Sequence, residues 1–124
     1  MANQDYDLFI EWLTNQHGKI LEAETVALEN LKLGDAEVYK KKMREKAVAI
    51  SELFDESKPM LEKLPANKRD EISKGLERFS TSAFAALNLD SVFYMSALLY
   101  RDEHKEGEPD NLLAFIEKLK AEKN

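Results

Sequence analysis

The sequence predicts an all-α fold, an antiparallel up-down bundle of three long helices and a short C-terminal fourth, as a single domain of residues 1–124. Three observations lead to it. Only 4 glycines and 3 prolines occur among 124 residues, of which 34% are charged. Such a composition favours helix over sheet. Apolar residues recur at helical spacing, and a Gly-Asp pair separates two of these periodic runs.

The first predicted helix runs from about Asp5 to Leu33. Its apolar stripe repeats at nearly 3.6 residues and includes Phe9, Leu13, Ile20, Ala27 and Leu31. Gly18 interrupts this stripe and costs about 1 kcal/mol relative to Ala inside a helix. A break near residues 15–18 is therefore the alternative to one continuous helix.

Gly34 and Asp35 predict that the first helix ends and the second begins with almost no loop between them. Gly34 suits the left-handed residue just past a helix end, because it lacks a Cβ. Asp35 suits the next N-cap, where its carboxylate accepts from free backbone N–H groups. Two long helices joined so tightly are expected to pack antiparallel.

The second helix carries one apolar face, formed by Tyr39, Met43, Ala47, Ile50 and Phe54. Pro59 removes a backbone donor and crowds the carbonyl of Asp55, so a kink or short break is expected there. The apolar face continues to Leu64, before Pro65.

The third helix is predicted over about residues 67–101, with Asn67 and Asp70 as a capping box. A possible interruption lies at residues 88–90. A polar loop over residues 102–109 then leads to a last helix at about 110–122. That helix carries apolar residues at i, i+3, i+4 and i+7 spacing, namely Leu112, Phe115, Ile116 and Leu119.

No motif predicts catalysis, a cofactor or a metal. The chain has no cysteine, which excludes a thiolate zinc site and a cysteine nucleophile. Thr14 and Arg101 stand three residues before His17 and His104, where a di-iron bundle would carry Glu. We expect His17 to be a partly buried polar residue near a helix irregularity. The acidic stretch 101–110 around His104 lacks the pattern of a calcium loop. We therefore predict that the protein is not an enzyme.

Charge argues against nucleic-acid binding. The 18 basic and 24 acidic residues give a net charge of −6, whereas nucleic-acid binders carry a dominant basic face. The only basic cluster is Lys40, Lys41, Lys42, Arg44 and Lys46, and we expect it to face water. The N-terminal residues do not resemble a secretory signal, which favours a cytoplasmic location.

The stretch 83–100 is more apolar than a small bundle requires, with 14 of its 18 residues apolar. A membrane span is disfavoured because Asp90 lies in its middle. Two interpretations remain open. The stretch is the central helix, covered by the other three, or part of it binds a partner through Val92, Met95 and Leu99 beside Phe93 and Tyr100.

The first hairpin resembles a known family. The residues concerned are Glu24, Ala27, Leu28, Gly34, Asp35, Tyr39, Lys46 and Leu53. This pattern resembles the flagellar export chaperones of the FlgN-like type, over residues 8–64. The resemblance implies a small acidic helical protein that holds hook-associated subunits before secretion. It does not extend beyond Asn67, and the client contact of that family is generally placed towards its C-terminal region.

The sequence therefore predicts a protein–protein interaction module, a chaperone or adaptor for a helical client. The alternative is a self-assembling bundle whose 83–100 helix forms a homodimer interface.

Overall fold

The computed structural model describes residues 2–122 and confirms the all-α prediction. The helices are α1 (Ala2–Lys32), α2 (Ala36–Leu61), α3 (Ala66–Asn88), α4 (Val92–Ala97) and α5 (Asn111–Ala121). No strand occurs within residues 2–122. The three long helices and the short C-terminal helix are those expected, and α4 is additional.

The bundle is built around α2, which packs along α1 on one side and α3 on the other. Helix α5 packs against α1 in the opposite direction. The Tyr6 hydroxyl near the start of α1 donates to the Leu119 carbonyl near the end of α5 (2.7 Å), and His17 meets Asp110 at the start of α5. Helix α4 packs against α2 and α3, towards the end of the bundle where α3 stops.

The core follows the apolar stripes of the sequence. It contains, among others, Phe9, Leu13, Ile20, Met43, Ile50, Leu53, Ile72, Leu76, Leu112 and Ile116. The Phe115 ring lies so close to α3 that a Cβ on Gly75 would approach it to 2.5 Å. Phe115 also contacts Phe79 edge-on, with ring centroids 5.7 Å apart.

The turn between α1 and α2 forms as predicted. Gly34 adopts a left-handed conformation, with φ of 85°. Asp35 is the N-cap of α2, and its Oδ1 accepts from the backbone N–H of Val38 at 3.1 Å. The alternative of a break at residues 15–18 is wrong, because α1 continues through Gly18 without interruption.

Two local expectations, a break at Pro59 and a capping box at Asn67, are wrong. Helix α2 continues through Pro59 without a break and ends at Leu61. Helix α3 begins after Pro65, whose carbonyl accepts from the Arg69 N–H at 2.9 Å. Asn67 therefore lies inside the first turn and cannot act as the N-cap, so no capping box forms.

The single third helix predicted over 67–101 is also wrong, because it divides at the position where an interruption was considered possible. Helix α3 ends at Asn88, and Asp90 adopts a left-handed φ of 50°. Ser91 then caps α4 by accepting from the Tyr94 N–H at 3.2 Å. The interpretation of 83–100 as the central, fully covered helix fails with it, because α2 holds that position.

Within residues 2–122, no helix is long and apolar enough to cross a membrane.

Candidate functional site

A buried ion pair connects α1 to α2. Lys46 is only 1% exposed, and its Nζ lies 2.7 Å from Oε2 of Glu24. The same ammonium donates to the backbone carbonyl of Ser96 in α4 at 3.0 Å. Its Nζ also lies 5.0 Å from the centre of the Tyr100 ring. Lys46 therefore joins three elements through charge-assisted and cation–π contacts.

Tyr100 completes this arrangement from the segment that follows α4. Its hydroxyl donates to Oε1 of Glu24. Burial, and after it the hydrogen bond to the Glu24 carboxylate, raises the pKa of Tyr100. The phenol therefore stays a neutral donor at physiological pH. The His104 ring packs edge-on against it, with centroids 4.8 Å apart.

A second buried pair fixes the start of α5. His17 Nε2 lies 2.8 Å from Oδ2 of Asp110, and both side chains are buried. Asp110 also caps α5, because its Oδ1 accepts from the Leu113 N–H at 2.8 Å. Burial raises the pKa of Asp110, but the hydrogen bonds from His17 and Leu113 outweigh it and lower that pKa below its ordinary value.

Lys46, His17 and Asp110 are buried, and Glu24 and Tyr100 are half-buried; we call these five residues the buried ionic cluster. The prediction that the basic residues of α2 face water holds for Lys40, Lys41 and Arg44 but is wrong for Lys46. Lys46 is buried because a carboxylate on α1 and a carbonyl on α4 satisfy its charge and its donors. His17 lies inside regular helix rather than at an irregularity.

Titratable groups packed together can indicate an active site, but here they fill the interior. Burial lowers the pKa of Lys46, while the Glu24 carboxylate opposes that change. Among the described residues, every buried side-chain nitrogen and oxygen has a hydrogen-bond partner. Two of the surface cavities, of about 380 Å³ and 620 Å³, are lined by other residues. Substrate would therefore have no opening to the cluster from either of these cavities.

No metal site emerges from residues 2–122: no three or more of their His, Asp and Glu side chains are grouped to hold an ion. His104 instead contacts the carbonyl of Glu108 through Nε2 at 2.9 Å.

The outward face of α4 is apolar. Leu89, Phe93 and Tyr94 are 66%, 73% and 53% exposed. The rings of Phe93 and Tyr94 pack edge-on, with centroids 5.5 Å apart. A short helix normally turns polar residues outward and apolar ones inward, so this face is unusual.

A groove adjoins these side chains between α3 and α4. Its volume is about 380 Å³, and it is lined by Ser82, Ala85, Ala86, Leu89, Tyr94, Ala97 and Leu98. Between Phe79 and Tyr100 the sequence carries one charge, Asp90. That carboxylate is paired with Arg44 at 2.9 Å. We call Leu89, Phe93 and Tyr94, together with this groove, the α4 surface.

The predicted partner-binding residues need correction. Met95 and Leu99 are buried in the core, and Val92 is half-buried at the α2 side of α4. The structure therefore does not offer Met95 or Leu99 to a partner. Phe93 and Tyr94 occupy the outward positions, because in a helix that buries Met95 the residue three positions earlier lies on the buried face and the two between them do not.

No protein-family model, curated protein or solved structure matches the chain in the three comparisons made. The resemblance of the first hairpin to FlgN-like chaperones consequently stays a prediction.

Sequence analysis missed the buried ionic cluster and identified only the neighbourhood of the α4 surface. Glu24 and Lys46 both belong to the pattern of the first hairpin, but 22 positions separate them, and no local spacing indicates that they meet. The signal for the α4 surface was the apolar stretch 83–100, in which 14 of 18 residues are apolar.

Proposed function

We propose that this protein is a non-enzymatic protein-binding module that uses the α4 surface to hold a helical client, as a chaperone or adaptor. The observation that carries the proposal is the outward exposure of Leu89, Phe93 and Tyr94 beside an apolar groove. Exposed apolar patches on soluble proteins often mark binding sites, and aromatic residues are enriched at the centres of interfaces.

The lining of the groove supports a helix as the client. Small side chains, Ala85, Ala86 and Ala97, form part of its lining, and Leu89 and Tyr94 stand among them. An amphipathic helix can place one or two large apolar side chains in such a groove. Because Asp90 is already paired with Arg44, the groove requires no opposite charge from the client.

The non-enzymatic part of the proposal is supported by the placement of the titratable groups. Lys46, Glu24 and Tyr100 contact one another and His17 contacts Asp110, and none of the five lines the cavities of about 380 Å³ and 620 Å³ described above. The chaperone role is further supported by the resemblance of residues 8–64 to FlgN-like proteins. A net charge of −6 disfavours nucleic acid as the partner.

Site-specific photo-crosslinking in cells tests the proposal. We expect a photoreactive phenylalanine at position 93 to form a covalent adduct with a second protein, identified by mass spectrometry. The matched control places the same residue at Leu8, which is 54% exposed on α1 and outside the groove. An adduct of equal yield at both positions, or none at position 93, would reject the α4 surface as the binding site.

Self-assembly is the second candidate. The α4 surface carries both an exposed ring, Phe93, and a groove lined in part by small residues, and a two-fold interface needs complementary features on one surface. Sedimentation velocity across a concentration series tests it. Dimers that become monomers in Phe93→Glu would support self-assembly, and a monomer at all concentrations would reject it.

A further inference from the structure

Helix α4 lies between two residues in an unfavourable backbone conformation. Asp90 has a φ of 50° and Leu99 a φ of 74°. The left-handed region is uncommon for residues other than glycine, and a Leu there is more strained than an Asp. Such conformations persist only where the surrounding structure enforces them. Contacts beyond the local sequence must therefore hold the segment from 90 to 99.

Apolar packing within α4 itself is slight. Met95 is its one buried side chain, and its outward face is exposed. A six-residue helix is also too short to be stable alone. Leu98 and Leu99 add buried area directly after the helix.

Besides this apolar packing, hydrogen bonds and an ion pair hold α4 and the segment after it. Most of them involve the buried ionic cluster. Lys46 donates to the Ser96 carbonyl within α4, and Tyr100 donates to Glu24 directly after it. The Leu99 carbonyl accepts from the Asn111 N–H at 2.8 Å. Asp110, beside Asn111, is held by His17. The segment from 96 to 111 is thus attached to α2 and α1 at Ser96 and Tyr100, and to α1 at Asp110.

We infer that the buried ionic cluster is a latch that fixes α4 on the bundle and so positions Phe93 and Tyr94 for a partner. Lys46 is the central positioning residue, because its ammonium joins the Glu24 carboxylate on α1 to the Ser96 carbonyl on α4. Apolar contacts tolerate sliding, whereas hydrogen bonds to a buried charge fix one register. The role in partner binding depends on the function proposed above; the attachment of α4 does not.

Hydrogen exchange tests the latch without any partner. The variant Glu24→Leu/Lys46→Met replaces the pair by apolar side chains and leaves no unpaired charge buried. The reporter amides are those of Met95, Tyr100 and Asn111, whose hydrogen bonds hold α4 and the segment after it. The reference amides are those of residues 50–57 in α2.

The matched control is Arg44→Met/Asp90→Asn. It removes an ion pair that also joins α2 to this segment, at 2.9 Å, but is exposed to solvent. We expect exchange at the reporter amides to accelerate by about tenfold or more relative to α2 in the buried-pair variant. In the control we expect a change within about threefold.

Two results would overturn the inference. Equal acceleration at reporter and reference amides would mean that the pair supports the bundle as a whole rather than α4. Unchanged exchange at the reporter amides would mean that apolar packing alone holds α4.

Photo-crosslinking from position 93 in the Glu24→Leu/Lys46→Met background links the latch to binding. We expect the adduct yield to fall with the fraction of molecules in which α4 remains docked, and the protection factors of the reporter amides give this fraction. An undiminished yield when those protection factors show α4 undocked in most molecules would contradict the positioning role. If the wild-type chain forms no adduct, the proposed function fails, while the exchange measurement still decides whether the latch exists.

Discussion

Lys46 is buried and Phe93 is exposed, which is the reverse of what their side-chain chemistry favours. Lys46 is 1% exposed and Phe93 is 73% exposed, although charged side chains are rarely buried and aromatic ones rarely lie so open. The buried lysine has a carboxylate, a carbonyl and a ring as partners. The exposed ring packs edge-on against that of its neighbour Tyr94.

This difference separates residues that build the protein from residues available for binding. A buried charge persists only if its hydrogen bonds are made, so the buried ionic cluster is completed within the chain itself. Covering an exposed aromatic side chain with a partner removes apolar surface from water, which lowers the free energy of the complex. A partner can therefore add favourable contacts at the α4 surface but not at the buried ionic cluster.

Lys46→Met should give the largest change in stability. It leaves the Glu24 carboxylate largely buried without its counterion, and breaking such a pair typically costs about 3–5 kcal/mol. Urea denaturation measures the loss in the free energy of unfolding. The control is Arg44→Met, two positions away on the same helix, whose pair with Asp90 is exposed. We expect that variant to lose about 0.5 kcal/mol or less. Similar losses in the two variants would remove the distinction between the buried and the exposed pair.

Met95→Ala should cost about 2–3 kcal/mol, because it leaves a cavity under α4. Met95 is 1% exposed and is the buried residue of this helix. Denaturation curves measure the global loss. A loss confined to hydrogen exchange in residues 92–100, with an unchanged denaturation midpoint, would show that α4 unfolds separately from the bundle.

Asp110→Asn should cost about 1 kcal/mol at neutral pH, because it replaces a charge-assisted hydrogen bond to His17 by a neutral one. The helix cap to Leu113 is retained, since Asn caps as well as Asp.

The same variant predicts a pH dependence. The folded pKa of Asp110 lies below its ordinary value of 3.8. Its stabilising contribution is therefore fully present above pH 3.8 and is lost as the pH falls through the folded pKa. We expect the stability difference between wild type and Asp110→Asn to narrow below pH 3.8. Asp102→Asn, in the exposed part of the same connection, is the control. A difference that stays constant down to pH 2 would contradict the ionic contact with His17.

Phe93→Ser should change stability least, by about 0.5 kcal/mol or less, since its ring is mostly in solvent. Its effect should appear in binding. Capture of the partner identified by crosslinking should be lost in Phe93→Ser and retained in Phe84→Ser, an exposed phenylalanine outside the α4 surface. Equal capture by both variants would show that the α4 surface is not the binding site.

Particular residues show which features could be predicted locally. Gly34 and Asp35 specify their turn because a left-handed residue and a helix cap involve only neighbours within a few positions. At residues 88–90 the sequence indicated an interruption but not its extent. The left-handed Asp90 is unfavourable locally and is retained by the capping of α4, by Arg44 and by the burial of Met95.

The sequence by itself determined the all-α class, the stripes that form the core and the turn at Gly34. Periodicity and helix capping depend on residues a few positions apart, so they can be recognised in the sequence. Only the tertiary structure decided that Lys46 points inward, that Met95 and Leu99 are covered and that Phe93 and Tyr94 are not. The burial of a lysine depends on partners 22 and 50 positions away, and no local pattern determines whether such partners meet.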